Sequence, residues 1–337
     1  MIKNYMDSLT HILTGALAGQ LCSDKKDKLL PLIWGAIAGS IPDIDAVFQP
    51  FISQENSMLF HRGITHSLLL WALCSPLLAL WINKLYKGDR RTYFKWLKIS
   101  VTAWFSHLFL DIFNTYGTGI FEPFSHVRIA YDAVNVLDLM MLTPVLIIMI
   151  MIVFVIKDYL KKIVMALSAV TYMLIYIIIA ISVKMNIEVA ADKQLSQKDI
   201  FLTRIISSPL PLSIFAWKVV AETHDGYYAG ELYGFWKNDQ INFTYIQRKK
   251  ELEIRYAHYD SFQKLKQFTK NWYVVEQIDG QTVMHDLRFS TLEPKKNAIS
   301  FPLHLKENSL EIGHASLNRR ISFKNIKELC DKLKIEN

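Results

Sequence analysis

The chain has 337 residues, enough for about two domains, and 51% of them are hydrophobic with a positive mean hydropathy, unlike an ordinary soluble protein. The net charge of +7 is shared almost evenly: Lys and Arg exceed Asp and Glu by three over residues 1–183 and by four over residues 184–337, so neither half is basic enough to argue for nucleic-acid binding. Cys22, Cys74 and Cys330 have no metal or redox spacing, which argues against a disulfide framework.

The apolar residues are concentrated before Val183. Residues 9–22 and 29–42 are apolar runs of 14 residues each, too short to cross a bilayer squarely. Their paired glycines (Gly15 and Gly19, Gly35 and Gly39) permit a tightly packed or re-entrant helical pair. Residues 67–82 and 97–113 are candidate spans, and residues 136–156 and 163–183 are long enough to cross outright. From Ile200 the chain turns polar and aromatic. Segments such as YYAGELYGFW, INFTYIQ, WYVVEQIDGQTVMHDLRFS and ISFPLHL read as strands, with Asp279-Gly280 a turn signal and KNIKELCDKLKI an amphipathic tail helix. The expected fold is a mainly α polytopic membrane domain of about four to six helices over residues 1–185, followed by a small β-rich soluble domain over residues 190–337.

If every run crosses, loops 23–28, 83–98 and 157–162 lie on one side and carry twelve basic residues, which assigns that side to the cytoplasm. Asp7 and His11 then begin the first run, Asp43 and Asp45 end the second, and His61 and His66 enter the third. His107 and Asp111 end the fourth, and Asp138 begins the fifth. All nine fall at extracytoplasmic ends, on the side where the soluble domain emerges.

His107 and Asp111, four apart in AWFSHLFLDIFNTYGTG, share one helix face, where an imidazole and a carboxylate can grip a divalent metal or form a buried ion pair. Asp7 and His11 repeat that spacing. Asp43 and Asp45 in PDID can converge on a metal only from a turn; an ordinary Asp-rich turn is the bland alternative. In HRGITHS, His61 and His66 are five apart and need a loop entering a helix to converge, with Thr65 or Ser67 as its cap. Arg62 between them is a candidate for gripping an anion, and Asn114, Thr115, Tyr116 and Gly117 can line a pocket or merely end a helix. Asp138 is a candidate ligand or a support for a ligating histidine. Thiolate-free His and Asp donors suit Zn²⁺ or Mn²⁺, one to three ions, and the chemistry they serve is hydrolysis. His224, His258, His285, His304 and His314 are scattered and read as surface or core residues.

The set MDSLTH, PDID, HRGITHS, SHLFLD with TYGT, and Asp138 resembles the YdjM-type inner-membrane-associated metal-dependent hydrolases over roughly residues 1–183. That family is distantly similar to zinc-dependent phospholipase C and P1-type nucleases. The resemblance implies metal ligands at His11, Asp43 or Asp45, His61, His66, His107 and Asp111, a phosphoester substrate, and a multi-pass protein of the bacterial inner membrane. The chain lacks the second His-x3-Glu helix pair of the soluble phospholipases after Asp111. The resulting expectation is a hydrolase acting on a membrane lipid or lipid-linked substrate. His11, Asp43, Asp45, His61, His66, His107 and Asp111 hold metal, Asp7 or Asp138 orients or acts as base, and Arg62 holds the phosphate. No nucleic acid and no clear protein partner is implied. The alternative is a non-enzymatic metal-binding membrane regulator, scaffold or transporter; one-sided placement of the polar groups argues against transport.

Overall fold

A computed structural model describes residues 7–136, 138–210, 214–234, 240–289, 299–306 and 309–317. Contacts divide it into two compact units: the described residues up to 51 together with 60–179, and residues 52–59 with the described residues from 180 onward.

The first unit is helical. Its elements are α1 (Asp7–Leu21), α2 (Leu30–Ser40), two 3-10 turns (Pro42–Val47 and Gln49–Phe51), a third 3-10 turn (Ile64–His66), α4 (Leu68–Leu85), α5 (Arg90–Asp111) and α6 (Leu139–Ile150). A short helix α3 (Gln54–Phe60) precedes the third turn, and α7 (Tyr159–Ser196) continues into the second unit. Among the described residues α4 and α7 are long and apolar enough to cross a membrane; α2 with the turns Pro42–Phe51, bent by 53°, makes a third span if counted as one.

Three expected boundaries move. The stretch 83–98, expected as a loop, is helical from Arg90, because the Asp89 carboxylate caps α5 by accepting from the Thr92 N–H at 2.9 Å. The run 163–183 is only the middle of a 38-residue helix. Its polar end continues as helix, tied by Lys184 to Glu188 at 2.7 Å, one turn apart. The run 136–156 starts as helix at Leu139 and closes with a π turn over Met151–Val155, leaving a shorter apolar helix.

α1 and α2 pack with their backbones almost touching. A Cβ added to Gly15 or Gly35 would strike the other glycine's carbonyl, and one added to Gly39 would lie 2.8 Å from the His11 carbonyl oxygen. Only glycine allows this approach, which sets His11 beside the C-terminal end of α2. Gly35→Ala is therefore expected to cost about 1–3 kcal/mol, as overpacking against rigid backbone does. A thermal midpoint equal to wild type in the same detergent would contradict this.

The second unit holds two antiparallel sheets, β1 (Arg204–Pro209), β2 (Ala216–Glu222), β3 (Gly226–Tyr233) and β4 (Thr244–Gln247) in that order, then β5 (Tyr273–Ile278), β6 (Gln281–Asp286), β7 (Ile299–Lys306) and β8 (Ser309–Ile312), with β9 (Ser316–Leu317) also on β7. Residues of both sheets, among them Val220, Tyr227, Ile246 and Val274, share one apolar core. Asp279 and Gly280, both at positive φ, turn β5 into β6 as their sequence requires. Two short helices not expected from the strand pattern, α8 (Lys250–Tyr256) and α9 (Asp260–Phe268), lie between the sheets in sequence. The i, i+3, i+6 spacing of Phe262, Leu265 and Phe268, all buried, is the signal for α9. The expected tail helix at 324–335 lies outside the described residues.

Candidate metal centre

Helix α5 carries His107 and Asp111 on one buried face, as i, i+4 geometry demands. The 3-10 turn after Pro42 bends the chain so that Asp43 and Asp45 both reach inward, and Asp45 is fully buried. Ser67 caps α4, accepting from the Leu70 N–H at 3.1 Å. The capping turn before it sets the His61 and His66 rings 5.9 Å apart between centroids. His11 reaches the same place from α1, its ring stacked on His107 at 3.5 Å. Seven of the residues expected as ligands thus converge in three overlapping groups: His11, His107 and Asp111; Asp43, His66 and His107; Asp43, Asp45 and His61. His107 belongs to two groups and so does Asp43.

The protonation of the two central histidines follows from their partners. His107 Nδ1 lies 2.6 Å from the Gly39 carbonyl oxygen, which can only accept, so Nδ1 carries the proton. The Thr65 hydroxyl gives its single proton to Asp45 Oδ2 at 2.7 Å and therefore accepts from His66 Nδ1 at 2.9 Å. In the neutral rings both Nε2 atoms then present lone pairs, and they face each other at 3.0 Å. Burial pushes the His66 pKa down to about 4, keeping its ring neutral near pH 7. Two opposed lone pairs in a buried site repel unless a cation lies between them.

The carboxylates complete the frame. His66 Nε2 is 3.5 Å from Asp43 Oδ1 and 3.3 Å from Asp111 Oδ2, and His107 Nε2 is 3.6 and 3.5 Å from the same atoms. Ligands about 2.1 Å from a tetrahedral zinc lie about 3.4 Å from each other. These separations match that edge, so the residues fit a divalent ion by donor chemistry and by spacing.

Several side chains hold this set rather than face it. Asp45 accepts from His61 Nδ1 at 2.8 Å, from Thr65 and from the Arg62 N–H at 3.1 Å, and so orients two histidines at once. Arg62, expected to present its guanidinium to a phosphate, is instead buried, with Nη2 3.3 Å from Asp111 Oδ1 and its guanidinium over the Tyr116 ring. Its backbone is in the left-handed region, φ 60°, held by Asp45 on one side and by the Gly119 N–H, which donates to its carbonyl, on the other. Asn114 also donates to Asp111 Oδ1, at 3.3 Å. Arg128 donates to the His61 and Gly117 carbonyls. The sequence marks Thr65 only as a candidate cap and Gly39 only as a packing glycine, and nothing in it singles out Arg128, so their parts in holding this set are visible only in the structure.

A small cavity beside His11 and Asp111 is lined by Thr10, Asn114, Asn135, Met141 and Ile177. Asp43 and His61 are the partly exposed members of the set. Asp7 opens α1, and its side chain lies outside the described residues. Asp138 caps α6: one oxygen accepts from the Met140 and Met141 N–H groups at 3.1 Å, the other from the Tyr176 hydroxyl at 2.6 Å. Those bonds make it an anchor between α6 and α7. Nearby in sequence, Asp132 is buried, and His126 is exposed and paired with Glu122.

Over 146 residues the chain is 32% identical to YfhP of Bacillus subtilis (strain 168), described as an uncharacterized protein. That alignment covers 40% of this chain, and the chain spans 42% of the length of that relative. No solved structure matches the chain significantly. The profile described as YdjM inner membrane protein matches residues 6–186, more than half of the chain and the stretch that carries every residue of the metal centre; the chain belongs to the YdjM inner membrane protein family.

Proposed function

We propose that the chain is a multi-pass membrane hydrolase, with a membrane domain over residues 1–185 and an extracytoplasmic β-rich domain over residues 190–337. Its substrate is a phosphoester of a lipid or lipid-linked molecule, cleaved at the outer surface of the inner membrane. The observation that carries this reading is the pair of Nε2 lone pairs facing each other at 3.0 Å inside a frame of carboxylates. His11, Asp43, His61, His66, His107 and Asp111 would hold zinc or manganese, with Asp45 available to ligate or to orient. A bound divalent ion supplies Lewis-acid activation of water and of a phosphoryl oxygen. The protein's own part is to fix imidazole tautomers through Gly39 and Thr65, to balance Asp111 with Arg62, and to keep bulk water from all but the Asp43–His61 side. Asp43, partly exposed there, is placed to accept a proton from an entering water. Arg62 acts here by positioning Asp111, and Asp138 by anchoring α6 to α7.

The test is turnover of a panel of labelled phospholipids and polyprenyl phosphates by the protein in nanodiscs, loaded with zinc or manganese. Release of a phosphorylated or dephosphorylated product, lost in His107→Ala, is expected. A fully loaded wild type that turns over nothing in the panel would favour a metal-dependent regulator instead.

A further inference from the structure

Two segments beside the metal centre turn large apolar side chains outward, while Asp45 in one is buried and, in the other, the exposed His126 is paired with Glu122 and Arg128 with backbone carbonyls. In the turns Pro42–Phe51, Ile44, Val47, Phe48 and Phe51 are exposed, Phe51 by 85%, while Asp45, the one charged residue of Ile44–Phe51, is fully buried. In the loop from Gly119 to Tyr131, Phe121, Phe124, Val127 and Tyr131 are exposed, Phe124 by 82%. The charged side chains of that loop are engaged locally, Glu122 with His126 and Arg128 with backbone carbonyls. Both segments are fixed to the ligand-bearing turn: Asp45 binds His61, the Arg62 N–H and Thr65, and Gly119 donates to the Arg62 carbonyl.

A loop that faces water shows the reverse arrangement, with polar groups outside. Eight large apolar side chains around one site are more than isolated exposures. The Pro42–Phe51 turns also continue directly from α2, the first arm of a bent apolar segment that is itself a candidate span. The surface that such a rim continues is therefore a lipid one, and aromatic side chains are favoured at the boundary of headgroups and acyl chains.

We infer that Ile44–Phe51 and Gly119–Tyr131 form a rim seated in the headgroup–acyl boundary of the extracytoplasmic leaflet, with a lipid surface as its partner. The inference rests on the membrane-surface reading above and deepens it: substrate reaches the Asp43–His61 side laterally, from the leaflet. The polar head of a membrane lipid lies at the depth of that opening, whereas a water-soluble phosphoester has no use for the rim.

The experiment labels single cysteines with a polarity-sensitive fluorophore in the full-length protein, on a Cys22→Ser, Cys74→Ser and Cys330→Ser background in nanodiscs. Phe51→Cys and Phe124→Cys report the rim, each on its own segment, so either position decides. Leu77→Cys on exposed apolar α4 is the lipid control, and His224→Cys on the exposed β2–β3 turn is the aqueous control. Rim labels are expected to be quenched about twofold or more strongly by lipids spin-labelled near the headgroup than by lipids labelled at the chain end, and to resist iodide. Quenching by iodide as at His224 would overturn the inference, because the rim would face water. A blue-shifted label quenched by neither agent would overturn it too, because protein would cover the rim. The readout needs neither metal nor turnover, so a lipid-seated rim on an inactive protein and an active protein with its rim in water are distinguishable results.

Discussion

His107→Ala is expected to remove bound metal more completely than His61→Ala. His107 is shared by two of the three donor groups, whereas His61 belongs to one. Loss of a supporting partner alone typically weakens a metal site 10–100-fold, and loss of a shared ligand costs at least about that much at both positions. Elemental analysis after dialysis should therefore find His107→Ala depleted at two positions and His61→Ala depleted at one at most. A chelator should lower the wild-type melting midpoint, because metal at about 1,000 times its Kd adds about 4 kcal/mol to folding. In His107→Ala that chelator response should vanish, and the metal-free variant should lose little stability, since the opposed lone pairs are gone. Full stoichiometry in His107→Ala, or a wild type that binds no zinc or manganese after reconstitution, would sink the metal reading.

Arg62→Ala carries the second large effect, and its sign depends on metal. Arg62 is 1% exposed, and its Nη2 is the cation nearest Asp111 Oδ1, which also faces His11 Nε2 at 3.3 Å and Asn114. Removing one partner of a buried ion pair usually costs about 3–5 kcal/mol, because the remaining charge is left uncompensated. Bound metal would compensate Asp111 from its other oxygen. The metal-free Arg62→Ala protein should thus be strongly destabilised and the loaded one much less so, which makes its chelator-induced drop larger than that of the wild type. A guanidinium that served substrate phosphate instead would leave both midpoints near wild type and change only the kinetics. Arg62→Lys separates the cases further, since an ammonium keeps the charge but loses the stacking on Tyr116.

How much of this was legible depended on whether the signal was local. The i, i+4 pair His107 and Asp111 was readable because a helix makes that spacing into one face. The strand pair around Asp279-Gly280 was readable because the turn demands positive φ. The end of α7 was not: hydropathy drops at Lys184, yet Lys184 and Glu188 pair along the helix and carry it to Ser196. Nor was the part played by Asp45 and Arg62. Composition marks an acid and a base beside histidines, but only burial and neighbours tell a group that meets a ligand from one that braces it.

From the sequence alone come the family motifs in their order, the apolar segments, the division between helical and β-rich halves, and the thiolate-free donor set, because each is written in spacing or composition over a few turns of chain. The tertiary structure decided which donors meet and which nitrogen each histidine offers. His107 takes its tautomer from the carbonyl of Gly39, 68 positions away, and His66 takes its own through Thr65 from Asp45, 21 positions before it. Lone-pair direction is a property of the packed neighbourhood, set here by two helices that glycines allow to touch, and no window along the chain contains it.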